Sequence, residues 1–303
     1  MRGKRYKKDV MIFQAELANN LAELYHSLLD LSYKHGSYFV FNISDPKPRT
    51  IHKASVRDRI IHRLIYDRIY QYFDLRFIFD SYSCRKRKGT HKAINRFQFL
   101  ARKVSKNNSR TCYVLKCDIK KFFASIDHEI LFRILKRQIA DQDIIHLIGK
   151  VISSFHSTRP GIGLPLGNLT SQILANVYLN EFDMFIKQEL RVKNYIRYTD
   201  DFVILSDKKE YLNNLLPKIS LFLERELKLV LHENKVYIKT YASGLDFLGW
   251  VHFPYHRNIR TSVKKKIIKK IKGYPMPQTV TSYRGLLGHG DTYKFQKQIG
   301  LAD

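Results

Sequence analysis

Three aspartates raise the first chemical question. Asp118 ends the apolar run VLKCD, and Asp200 and Asp201 stand side by side in YIRYTDDFVILS, between two apolar, strand-forming runs. Carboxylates gathered in one place repel and raise one another's pKa, a cost that a bound cation removes. Mg²⁺ takes hard oxygen ligands and is commonly held by one or two carboxylates together with substrate phosphates. Two such ions, about 3.5–4 Å apart, can clamp the attacking hydroxyl and the leaving pyrophosphate of an in-line displacement. Each residue alone also has a plainer explanation. Asp-Asp is common at hairpin tips, where Asp tolerates turn geometry and caps its own backbone, and an aspartate can simply end a strand.

For the three carboxylates to meet, the strands CYVLKC, YIRYT and FVILS must be neighbours in one sheet. Around them, apolar spacing predicts helices over 10–34, where Leu17, Leu21, Leu24 and Leu28 recur, and over 58–73, with Ile61, Leu64, Ile65 and Ile69 on one face. YFVFNISDPKPRTI reads as strand, turn, strand, and SYSCRKRKGTHKAI as a basic loop entering a helix. Residues 127–155 and 209–228 read as helical. The glycine-rich GIGLPLGNLTSQ opens a long helix, ILANVYLNEFDMFIKQEL, with Thr170 or Ser171 as its expected N-cap. VYIKTYASGLDFLGWVHF reads as strand, turn, strand. In the tail, SVKKKIIKKIKG puts Val263, Ile267, Ile268 and Ile271 on one face and lysines on the rest, and TSYRGLLGHG begins another short helix. Strands at the centre with helices packed on them make the expected class α+β.

Charge narrows the possible partners. The 303 residues include 54 Lys+Arg against 27 Asp+Glu, a net charge of +27, with an ordinary apolar fraction of 44%. An excess of this size repels itself unless a polyanion compensates it. Nucleic acid is the first candidate, since each neutralised phosphate releases a counterion, and an acidic membrane surface is the second. Aromatic residues, at 13%, suffice for base platforms as well as core. Three cysteines, Cys84, Cys112 and Cys117, show no C-x-x-C spacing, which argues against a disulfide framework or zinc site. There is no signal-peptide core and no stretch of about 20 apolar residues, so a cytoplasmic location with no membrane partner is expected.

The order of motifs then resembles a known family. CDIKKFF, LPLGNLTSQ, YTDD, HENKVYI and FLG follow one another as in the palm of reverse transcriptases, and DPKPRTI with the arginine-rich helix after it extends the likeness towards the N-terminus. The resemblance implies a right-hand polymerase fold with fingers, an antiparallel-sheet palm and a short helical thumb. Residues 1–110 would form an N-terminal extension and fingers, 111–255 the palm with a helical insertion at 128–160, and 256–303 the basic thumb. It implies RNA-directed DNA synthesis with two Mg²⁺ ions, for which Mn²⁺ can substitute, on template RNA, a primer or cDNA strand and dNTPs.

Residue by residue, Asp118 and Asp200 match the family's metal-binding aspartates, and Asp201 the less direct second member of the doublet. Lys235 resembles a lysine placed to protonate pyrophosphate. Lys47 and Arg49 match fingers residues that grip the triphosphate, where cations offset charge on the leaving phosphates. Phe123 matches the aromatic wall that clashes with a ribose 2′-hydroxyl; Leu166, Gly167 and Gln172 belong to the nucleotide-binding loop and the helix it opens. Phe247, Leu248 and Gly249 match the primer grip. Arg59, Arg63, Lys264, Lys265, Lys269 and Lys270 are the expected nucleic-acid contacts, positioning phosphates without reading sequence.

Within the family, LPLGNLTSQ carries Leu166 where many relatives have Gln, and Gln172 where they have Pro. This resembles the reverse transcriptases of diversity-generating retroelements. That likeness implies copying of a template-repeat RNA with errors at adenine, an accessory basic protein, and mutagenic retrohoming of the cDNA. An aliphatic Leu166 makes less directional contacts than a polar side chain, a physical link to low fidelity. The chain shows no C-x-x-C cluster for a nuclease, so target nicking is expected to be borrowed. Group II-like or phage-defence reverse transcriptases carry similar loops, and a basic RNA-binding protein with an inactive palm is the non-enzymatic alternative.

Overall fold

The computed structural model describes residues 3–44, 48–272 and 276–301. In chain order, helices α1 (Lys8–Ala15) and α2 (Leu17–Leu29) lead to strands β1 (Phe39–Ile43) and β2 (Arg49–Lys53), then helices α3 (Val56–Asp74) and α4 (Thr90–Val104). Strand β3 (Tyr113–Asp118) is followed by α5 (Phe122–Ser125), α6 (His128–Gln138), α7 (Gln142–Ile152) and α8 (Leu169–Met184). Next come β4 (Tyr195–Tyr198), β5 (Asp201–Ser206), α9 (Lys209–Leu227) and β6 (Tyr237–Thr240). The chain ends in β7 (Leu245–Phe247), β8 (Trp250–His252), β9 (Arg257–Ile259), α10 (Thr261–Ile271), α11 (Pro277–Leu287) and α12 (Tyr293–Gln298). It divides into two compact units that alternate in sequence. One comprises Met1–Phe79, Ile119–Arg191 and Ser220–Leu231, the other Asp80–Asp118, Val192–Ile219 and His232–Asp303.

The first unit is mainly helical. Ser55 caps α3, its Oγ accepting from the Asp58 amide at 3.1 Å, and the i, i+4 row Ile61, Ile65 and Ile69 is buried. Burying each such side chain contributes roughly 1.5–3 kcal/mol. Helix α8 is buried from Thr170 to Asn180 with the exception of Gln172, so it has core on every side rather than an amphipathic stripe. Its N-cap is Asn168, not Thr170 or Ser171. Asn168 makes no side-chain cap bond: its Oδ1 accepts from the Ala54 amide at 3.4 Å, and its Nδ2 donates to the His52 carbonyl on β2 at 2.8 Å. Thr170 is instead buried, with its Oγ1 2.5 Å from His62 Nδ1. Along α2 the expected apolar row forms, but Leu24 is buried while Leu17 and Leu21 stay exposed.

The second unit is built on a four-stranded sheet of order β4-β5-β3-β6, with every pairing antiparallel. One face of β3 and β5 presents Val114, Val203 and Leu205 to Ala93, Phe97 and Leu100 of α4. Leu245 and Phe247, from the separate β7-β8-β9 sheet, complete this cluster. In the tail, Ile267 is fully buried among Trp250, Leu287 and Phe295, with Val263, Ile268 and Ile271 packed alongside. The expected apolar face of α10 is therefore real. Helix α12, which brings Phe295 to it, was not anticipated from the sequence.

Candidate active site

Antiparallel register places Asp118 directly opposite Asp201, at the last pair of the β3–β5 ladder. Directly opposed residues share a sheet face, with Cα atoms about 4.5–5.5 Å apart. Asp200 is the second residue of the two-residue turn joining Tyr198 to Asp201. The same face is apolar at Val114, Val203 and Leu205 and becomes ionic at Lys116, Asp118 and Asp201. Period-two alternation therefore brings distant residues to one end of one face.

The carboxylates are paired with lysines. Lys235 Nζ lies 2.8 Å from Asp118 Oδ1, and the His232 amide donates to the Asp118 carbonyl at 2.7 Å, which docks the HENK segment there. Lys116 Nζ lies 3.2 Å from Asp201 Oδ2. Asp201 Oδ1 is buried with no hydrogen-bond partner, although the side chain as a whole keeps 20% of its exposure. Burial pushes Asp201 up to about 6 against the pull of Lys116, with the Asp118 and Asp200 charges adding to the rise. Among the described residues no three His, Cys, Asp or Glu side chains are grouped tightly enough to hold a metal ion. Register thus opposes Asp118 to Asp201 with Asp200 next to it in the turn, and the described residues do not form a preformed cage. Hard carboxylate oxygens and one unpartnered buried acceptor still suit a divalent cation.

Strained backbone holds the doublet. Thr199 takes φ +56° and Asp200 does not, the pattern of a type II′ hairpin in which the first central residue is left-handed. A β-branched residue pays for that conformation with steric strain. The surroundings hold it: Thr199 Oγ1 donates to Ser83 Oγ at 2.6 Å, and its carbonyl accepts from Arg197 Nη1 at 3.1 Å. Arg197 is fully buried, its Nη2 reaches Ser81 Oγ at 3.1 Å, and its amide donates to the Asp80 carbonyl. Asp80 is in turn held by a two-point pair with Arg96, at 2.8 and 3.0 Å.

The β7–β8 turn uses the same device. Phe247 pairs with Trp250, and the intervening Leu248 and Gly249 take φ +52° and +86°. Left-handed backbone at both central positions is the type I′ turn, which Gly249 enters without a Cβ clash.

In the first unit, backbone contacts tie the Leu166–Gly167 loop to β2. The His52 amide donates to the Leu166 carbonyl at 2.9 Å, tying the loop to β2, which begins at the exposed Arg49. Gly167 sits at φ +106°, where a Cβ would lie 2.7 Å from Ile51 Cγ2. Gln172 is the exposed residue near the start of α8. Phe122 is buried, whereas Phe123 beside it is half-buried, with its carbonyl accepting from the Leu164 amide at 2.7 Å. Lys47 lies outside the described residues.

The expected nucleic-acid contacts differ in their surroundings. Arg59 is bound to Asp9 at 2.8 Å, and Arg63 to Asp67 one turn along α3 at 2.5 Å. On α10, Lys265, Lys269 and Lys270 are exposed, and Lys264 lies over the Phe295 ring. No helix among the described residues is long and apolar enough to cross a membrane.

Lys116, Arg197, Thr199 and Ser83 escaped the sequence reading. Their signal was present in part: Lys116 and Arg197 are charged residues inside runs, YVLKCD and YIRY, that otherwise read as buried strand. A charge in such a position must find a partner.

Comparison with known proteins agrees with this geometry. The family model described as "Reverse transcriptase (RNA-dependent DNA polymerase)" matches residues 41–252. Protein YkfC of Escherichia coli is 26% identical over 82% of this chain and 74% of its own. The group II intron-encoded protein LtrA of Lactococcus lactis is 23% identical over 89% of this chain. A telomerase from Candida albicans, in complex with a fragment of telomeric RNA, superposes with a TM-score of 0.54 at 10% identity, over 82% of this chain. The chain spans just over half of the latter two, 56% and 54%. The telomerase likeness shows the polymerase fold alone. The family model covers more than half of the sequence, and on that match the chain belongs to the reverse transcriptase (RNA-dependent DNA polymerase) family.

Proposed function

We propose that this chain is an RNA-templated DNA polymerase whose reaction centre is the Asp118–Asp200–Asp201 end of the β3–β5 ladder. The observation that carries the reading is the register: Asp118 faces Asp201 across two hydrogen-bonded strands, with Asp200 beside it in a strained turn. Asp118 and Asp200 would hold Mg²⁺, and Asp201, paired with Lys116, would support them as the less direct ligand. Bound there, the ions supply Lewis acidity for displacement at the α-phosphorus of a dNTP. Lys235, which pairs with Asp118, would give a proton to the departing pyrophosphate. Arg49, Leu166, Gly167 and Gln172 would contact the nucleotide, and Phe123 would exclude the ribose 2′-hydroxyl. The turn Phe247–Gly249 would seat the primer end, and the exposed lysines of α10 would meet phosphates of the hybrid. The test is extension of a primer annealed to RNA, with dNTPs and Mg²⁺. Asp200→Asn should abolish extension and leave RNA binding largely intact; extension at the wild-type rate by that variant refutes the reading.

Within the family we propose a diversity-generating type, copying a template-repeat RNA with errors at adenine and working with an accessory basic protein. Leu166 and Gln172 support this, standing at the loop end strapped to β2 and at the exposed start of α8. The likeness to LtrA over most of the chain favours a second reading, a group II-like enzyme. Sequencing the cDNA made from the native RNA separates them: adenine-directed errors support the first, even errors the second.

A further inference from the structure

We propose that Lys116 is a positioning residue of DNA synthesis, holding the Asp201 carboxylate and the β7–β8 turn at one fixed spacing. The inference rests on the polymerase reading above and adds to it a residue that does not touch substrate. Lys116 keeps 7% of its exposure, an uncommon state for a lysine unless its ammonium is paired. Its three protons have separate directions. One goes to the backbone carbonyl of Asp246 at 2.7 Å, and one to Asp201 Oδ2 at 3.2 Å. The ammonium also lies 5.8 Å from the centre of the Phe247 ring.

The bond to a backbone carbonyl is the informative one, because it fixes strand β7 itself rather than a mobile side chain. The Asp246 carboxylate is free to turn the other way, where it pairs with Arg260. The Arg260 amide donates to the Gly249 carbonyl at 3.1 Å. Chemical connection therefore runs from the Asp201 carboxylate through Lys116 to β7, and through Asp246 and Arg260 to the Leu248–Gly249 turn. In-line displacement depends on the spacing of those two parts, since misplacement by about 1 Å costs on the order of a hundredfold in rate.

The test uses the full chain on a primed RNA template. Lys116→Met keeps the apolar stem and removes the ammonium. It is expected to lower kcat for extension by about a hundredfold, with KM for dNTP and template–primer affinity within about twofold of wild type. Val114→Ala, on the same face of β3, is the stability control: it should unfold more easily and keep kcat. A folded Lys116→Met that extends at the wild-type rate, or a Val114→Ala that loses kcat equally, overturns the proposal. Should Lys116→Met not fold, Arg260→Met breaks the outer link and should lower kcat at unchanged KM; unchanged kcat there overturns it as well. Failure of the wild type to extend any primer falls instead on the polymerase reading.

Discussion

Replacing Thr199 separates the two forces that act on the carboxylate turn. Its φ of +56° costs a residue with a Cβ about 1–2 kcal/mol. Its 2.6 Å hydrogen bond to Ser83 returns about 0.5–1.5 kcal/mol net. Thr199→Ala keeps the strain and loses the bond, so the fold should weaken by about 1 kcal/mol. Thr199→Gly loses the same bond but sheds the strain, while its looser unfolded chain takes back roughly 0.5–1 kcal/mol. Its stability should therefore stay within about 1 kcal/mol of wild type. Activity should follow the opposite order. Glycine frees the turn that aims Asp200, so Thr199→Gly should lose more than about tenfold in extension rate and Thr199→Ala less. Urea unfolding and single-turnover primer extension measure both quantities. A double-mutant cycle with Ser83→Ala should return a coupling of about 0.5–1.5 kcal/mol. Equal destabilisation by Gly and Ala, or zero coupling, would refute the reasoning that strain and hydrogen bond offset each other here.

Gly167→Ala must place a Cβ at φ +106° and 2.7 Å from Ile51 Cγ2, so it should cost about 1–3 kcal/mol and raise KM for dNTP in extension assays. Burial pushes His62 down to about 4 from its ordinary 6.5. Between those values the unfolded chain binds the extra proton and the folded one does not, so stability rises with pH across this window. The rise should be about 3 kcal/mol, at about 1.36 kcal/mol per pH unit. Urea unfolding of His62→Gln should show a pH profile flatter by that amount. Leu166→Gln should lower misincorporation opposite adenine; an unchanged error spectrum in sequenced cDNA counts against a role for Leu166 in fidelity.

The sequence by itself determined the local elements and the chemical types. The apolar rows of α3 and α10, the buried strand before Asp118 and the doublet between β4 and β5 were all legible, because each is set by spacing between near neighbours. The order of motifs added the family. Tertiary structure decided what depends on residues far apart along the chain. Whether Asp118 would face Asp201 rested on the β3–β5 register, which no local pattern specifies. Asn168 displaced Thr170 as the cap of α8 because β2 claims its side chain and His62 claims Thr170. Leu17 and Leu21 share a helical spacing with Leu24 yet stay exposed, since burial needs an opposing surface as well as a period. The buried charges are the sharpest case. Lys116 and Arg197 look misplaced in strand sequence, and only the folded sheets supply the carbonyls and carboxylate that make their burial affordable.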